Sequence, residues 1–180
     1  MTGSSGRDSA RAARDHEARP RRSAARRARW LVAGVTWCLA RAVTAAVSCS
    51  VSTPGLSFLG YDVFAPAALT SSATLSVRCT STTATTVNYL TDLSTGSSLT
   101  FVQRTMTSGG NTLGYNVYTT SAGTTVWGNG SAGTVRVAGS MSLAKNQTKT
   151  NTHTAWGRVP ALQNAAVGTY SDSVTITVTY

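Results

Sequence analysis

The residues able to carry chemistry are few. Beyond position 42 the chain has one histidine, His153, three carboxylates, Asp62, Asp92 and Asp172, and no glutamate. A paired general acid and base could come only from distant positions, because these four lie far apart in sequence. Serine is plentiful, so counting alone leaves a Ser–His–Asp arrangement open, but no Gly-x-Ser-x-Gly elbow is present. His153 stands in the alternating run Thr150-Asn151-Thr152-His153-Thr154 and reads as a solvent-facing strand residue. Asp172 reads as a turn residue that bonds its own backbone. Metal-ligand spacing is missing, with no Cys-x-x-Cys and no second histidine in this part of the chain. Trp127-Gly128-Asn129-Gly130 lacks the lysine of a phosphate loop. The expectation is a protein that is not an enzyme, with no catalytic residue, no metal and no cofactor.

Three other sets remain. The aromatics Tyr115, Tyr118, Trp127 and Trp156 would serve a sugar-stacking surface, with packing and strand pairing as the competing reading. Arg104 and Arg158 read as a structural salt link or a bond to a turn carbonyl, with a ligand contact as the alternative. The third set is the cysteines, Cys38, Cys49 and Cys79. Their reading depends on where the chain is sent.

The net charge of +10 suggests nucleic acid at first, but its distribution argues otherwise. Residues 1–42 hold ten arginines and a net charge of +7, whereas residues 43–180 carry a net of +3 from scattered groups. No basic stripe tracks phosphates, so no nucleic-acid partner is expected. After the arginines comes the apolar run Trp30–Ala40, too short to span a bilayer as a helix, and then small residues. A basic region, a short apolar core and a small-residue cleavage site make a secretory signal, cut after Ala42 or Ala45. Arg26-Arg27 resembles a twin-arginine signal, and a start codon placed too far upstream would also account for the long basic region; the alternative to a leader is a disordered basic arm with a short core helix. The domain organisation expected is a leader over 1–42 and a body over 43–180. Cys38 leaves with the leader, and an even pair in an exported chain predicts a disulfide between Cys49 and Cys79. The alternative is a lipid anchor on Cys49 in Ala46-Val47-Ser48-Cys49.

The elements that must position these residues are strands. Only 12% of residues are charged, and the polar remainder is Thr, Ser, Gly and Asn, which suits strands better than exposed helices. Ala73, Leu75, Val77 and Cys79 alternate with polar residues, as do Val87 and Tyr89, Leu113, Tyr115 and Val117, and Met141 and Leu143. Leu99 and Phe101 mark a further strand, ahead of the turn Ser108-Gly109-Gly110-Asn111. The clearest run is the last, with Val174, Ile176, Val178 and Tyr180 on one face. Short strands with Gly-rich turns argue for an antiparallel β-sandwich. A final apolar strand sits either between earlier strands or at an open edge that accepts a strand from another chain.

Four blocks resemble the spore coat protein U / FanG domain family, which includes archaic chaperone–usher pilins. They are Phe58-Leu59-Gly60-Tyr61-Asp62 after Cys49; Arg104-Thr105-Met106 with Leu113-Gly114-Tyr115-Asn116-Val117-Tyr118 and Val126-Trp127-Gly128-Asn129-Gly130; Trp156-Gly157-Arg158-Val159-Pro160-Ala161; and Gly168-Thr169-Tyr170-Ser171-Asp172 leading into the last strand. Leu59 is an insertion relative to the family pattern. The resemblance covers residues 49–180. It implies an immunoglobulin-like β-sandwich lacking its last strand, with paired cysteines matching Cys49 and Cys79. It implies passage through the periplasm with a chaperone, assembly at an outer-membrane usher, and display on a cell surface, pilus or spore coat. Another subunit's N-terminal segment would then fill a groove lined by Val174, Ile176, Val178 and Tyr180. Val43, Ala45 and Val47 alternate ahead of the first paired cysteine but are small, so the chain reads better as acceptor than as donor. The alternative function is a terminal adhesive or carbohydrate-binding module.

Overall fold

The computed structural model describes residues 47–180. The leader, Cys38, both cleavage sites and the donor positions Val43 and Ala45 lie outside them. The described chain forms eight strands: β1 (Val47–Ser52), β2 (Leu69–Ser81), β3 (Thr85–Leu93), β4 (Arg104–Ser108), β5 (Asn111–Tyr118), β6 (Val137–Leu143), β7 (Gln147–Val159) and β8 (Ile176–Thr179). They make two antiparallel sheets, ordered β1-β2-β7-β5-β4 and β6-β3-β8.

The period-two pattern explains the layering. On β2, Ala73, Leu75, Val77 and Cys79 are buried while Thr74, Arg78 and Thr80 are exposed. On β3, Val87, Tyr89, Thr91 and Leu93 turn inward in the same way. Successive side chains point to opposite faces, so one face of each sheet meets the other sheet. The shared core runs from Leu75 and Val77 through Val117 and Trp127 to Met141 and Leu143. The chain passes from β2 to β3 through a tight turn in which the Ser81 hydroxyl donates to the Thr83 carbonyl at 2.8 Å.

The region around Leu99 differs from its sequence reading. Residues Gly96–Ser98 form a short 3-10 turn, and Leu99 follows in the left-handed conformation, 86% exposed. The reason is local. The Ser98 hydroxyl reaches the carbonyls of Thr95 and Thr100, at 2.9 and 3.0 Å. Such side-chain bonds compete with a strand ladder. The strand starts later, at Arg104.

The sandwich has four edge strands. On β4, Thr107 exchanges two backbone bonds with Ser171, at 2.8 and 3.0 Å. On β6, the Ser140 carbonyl accepts a bond from the Asn151 side chain at 3.1 Å. Among the described residues no backbone bond reaches the outer side of β1 or β8. These two edges belong to different sheets and approach each other across the gap between them. The last apolar run therefore ends at an edge.

Candidate functional site: an apolar cleft beside an open edge

The second sheet has three strands against five, so it leaves part of the first sheet's inner face uncovered. A cleft of about 1090 Å³ lies there. Its floor is Ala73 and Leu75 of β2, Tyr115 and Val117 of β5, and Ala155 of β7. One wall is the segment after β1, from Thr53 to Phe64; the other is the approach to β8, from Ala165 to Val174, with Ile176 beyond. The floor residues share a face because the ladder pairs Ala73 with Ala155 and Val117 with Gly157.

The final strand's apolar residues divide. Val174 and Ile176 line the cleft, and Val178 packs against the core. Tyr180 does not belong with them. It is 55% exposed and borders a separate depression with Asn88, Tyr89 and Gly139. Regular pairing stops at Thr179, so alternation no longer fixes Tyr180 toward the cleft.

Three fixtures brace the elements around the cleft. The first is the Cys49–Cys79 disulfide, which ties β1 to β2 across a pair of facing residues. The second is a latch ahead of β8. The Asp172 carboxylate accepts bonds from the Tyr115 hydroxyl at 2.7 Å, the Ser97 amide at 2.9 Å and the Ser173 amide at 2.8 Å. Burial acts to raise the Asp172 pKa, but these bonds favour the charged form and hold it below its ordinary value. Burial, together with the carboxylate it bonds, pushes the Tyr115 phenol well above its ordinary range. The bond to Ser173 is the expected local one; those to Tyr115 and Ser97 are not local.

The third fixture is Arg104, which is fully buried. Its guanidinium donates to the Ser94 carbonyl at 2.9 and 2.7 Å, the Trp127 carbonyl at 2.9 Å and Asn116 Oδ1 at 2.6 Å. Burial lowers its pKa, and the nearby Tyr115 and Asp172 oppose that. The structural account of Arg104 is the one that holds, since its four bonds all go to backbone and amide oxygens. Arg158 is exposed on the outer face of β7.

The four aromatics do not form one surface. Trp127 is fully buried, with its indole N–H on the Thr91 carbonyl at 3.0 Å, and Tyr115 is buried as part of the latch. Only Tyr118 and Trp156 face outward together, as a cross-strand pair. The alternation that sends Tyr118 outward sends Tyr115 inward. His153 also departs from its expected place. It lies opposite Leu75 on the inner face, half-buried, with Nε2 at 2.9 Å from the Tyr89 hydroxyl and its ring edge-on to Trp127. Burial lowers its pKa. Among the described residues no group of three His, Cys, Asp or Glu side chains could hold a metal ion.

The sequence reading missed what sits on Gly157. Phe58, from the segment after β1, lies edge-on to Tyr115 with ring centroids 5.9 Å apart. A Cβ on Gly157 would fall 2.6 Å from the Phe58 ring. The signal was a glycine inside a 13-residue strand, which marks a close approach by another group.

No curated protein matches the chain. A similar solved structure is the CsuC–CsuE chaperone–tip adhesion subunit pre-assembly complex from the archaic chaperone-usher Csu pili of Acinetobacter baumannii, with a TM-score of 0.51 and 23% identity. The similarity covers 75% of this chain but only 40% of that one, and at this identity it speaks for the fold. The model of the Spore Coat Protein U domain matches residues 35–177, most of the chain, and the chain belongs to the Spore Coat Protein U domain family.

Proposed function

We propose that this protein is an exported structural subunit of a surface fibre or coat that takes a strand from another subunit into its cleft. The leader over 1–42 would direct export. A periplasmic chaperone would hold the edge until an outer-membrane usher passes the subunit to its neighbour. The carrying observation is that β1 and β8, whose outer sides carry no backbone bond among the described residues, approach each other beside an apolar cleft. An added strand would gain main-chain bonds along β8 and bury alternate apolar side chains in the cleft. Family membership and the likeness to a chaperone–subunit complex support this reading.

A terminal adhesive role is the second reading. It is favoured by the description of the similar structure as a complex of a tip adhesion subunit and by the outward Tyr118–Trp156 pair.

The test uses the exported protein and a synthetic strand peptide of alternating Val and Thr with Lys at both ends. The expected result is a stable one-to-one complex with a raised Tm, lost in Ile176→Asp while export continues. A wild-type chain that melts cooperatively alone and ignores the peptide would refute strand capture. Retained affinity on a glycan array would then favour the adhesive reading.

A further inference from the structure

The segment between β1 and β2 runs from Thr53 to Ala68 without joining either sheet. Its apolar residues split sharply. Leu56, Phe58 and Tyr61 pack against the core, while Leu59 and Phe64 are 82% and 85% exposed. Phe58 rests on Gly157 and against Tyr115, and Leu56 lies beside it. These residues border the same cleft as Val174 and Ile176.

What fastens the segment is also distinctive. The Ser71 hydroxyl donates to the Ser57 carbonyl at 2.6 Å. The Tyr61 hydroxyl donates to the Pro160 carbonyl at 2.8 Å and accepts from the Gln163 amide at 2.8 Å. Each of these bonds uses a side chain, and none is part of a ladder. Segments held this way open at lower free energy than paired strands. The seat itself needs glycine, because any side chain at position 157 would meet the ring.

Resting on the strand-capture reading, we propose that Leu56–Tyr61 is a built-in plug, with the Phe58 ring filling the cleft over Gly157 until an incoming strand displaces it. The ring limits solvent exposure of the floor in the unpartnered subunit. Its departure then becomes a step on the way to full insertion. The insertion of Leu59 beside Phe58 leaves an exposed apolar side chain at the cleft rim, where an arriving strand would meet it first.

The experiment compares wild type with Phe58→Ala, which removes the ring, and Gly157→Ala, which unseats it without removing it. Association of the Val–Thr peptide is followed by stopped-flow, and binding of an apolar-site fluorescent dye is followed without peptide. The expected result is association roughly tenfold faster in both variants, equivalent to about 1.4 kcal/mol, with dye binding increased and a cooperative melt retained. Equal or slower association would make the ring a permanent wall and overturn the plug. Failure of both variants to fold would do the same. If wild type and variants alike ignore the peptide, the strand-capture reading fails and takes the inference with it; unchanged dye binding alone would refute the ring as a cover.

Discussion

Removing the disulfide should weaken the edge before it weakens the rest. The perturbation is the double variant Cys49→Ser, Cys79→Ser. The bridge closes a loop with a sequence separation of 30. In the chain-entropy account a loop of that length takes about 12 cal/mol/K from the unfolded chain, or roughly 3.6 kcal/mol at room temperature. For a domain of this size that corresponds to a fall in Tm of roughly 10–20 °C. The local effect is sharper. Among the described residues β1 pairs with β2 alone, so without the bridge it can peel away while the other seven strands stay paired. Hydrogen exchange should therefore speed up in Val47–Ser52 well before it does in β2 or β7. Scanning calorimetry gives the Tm, exchange mass spectrometry gives the location, and titration with the Val–Thr peptide gives the functional cost. Loss of β1 frees the start of the Thr53–Phe64 segment that walls the cleft, so peptide affinity should fall as well. A Tm lowered by only a few degrees, with exchange uniform across the strands, would refute the role given to this bridge.

Arg104→Met keeps the volume but leaves the Ser94 and Trp127 carbonyls and Asn116 Oδ1 without their buried donor. A loss of about 3 kcal/mol or more is expected in urea unfolding, and a loss below about 1 kcal/mol would remove the structural role assigned to it. Asp172 is held below its ordinary pKa of 3.8, so its contribution is complete above that value and disappears as pH falls through the lower folded value. Asp172→Asn should flatten the acid limb of the stability profile, and an unchanged limb would count against the latch. His153 is lowered from 6.5 by burial, so its protonation opposes folding and stability should drop as pH falls below that value. His153→Gln should reduce that drop in melts compared at pH 7 and 5. Gly139→Ala would drive a methyl into the Tyr89 phenol ring and should lower Tm, with loss of the Tyr89–His153 contact visible by NMR.

Much of the fold was legible because alternation is a local property. Ala73 to Cys79 and Val174 to Val178 announce which side is buried wherever the strand is placed. The all-β class followed from the same kind of reading, and the pairing of Cys49 with Cys79 from an even cysteine count in an exported chain. What alternation cannot give is the neighbour. Leu99 and Phe101 had the right spacing for a strand, yet serine and threonine hydroxyls bonded the backbone nearby and formed a turn. His153 sat in a polar run, and only the register opposite Leu75 turned it toward the core. Among the aromatics, alternation set Tyr115 and Tyr118 on opposite faces of β5, whereas Trp127 lies outside the named strands and only tertiary packing buried it.

By itself, then, the sequence determined the strand character, the inward face of β2, β3 and the last run, and the covalent tie. The first two depend on side-chain chemistry and spacing over a few residues, and the tie on the cysteine count. The tertiary structure alone decided that β8 lies at an edge, that β1 approaches it from the other sheet, and that Phe58 covers Gly157. Each of these joins residues that are distant along the chain. Their meeting is fixed by how two sheets of unequal width pack, which no local pattern records.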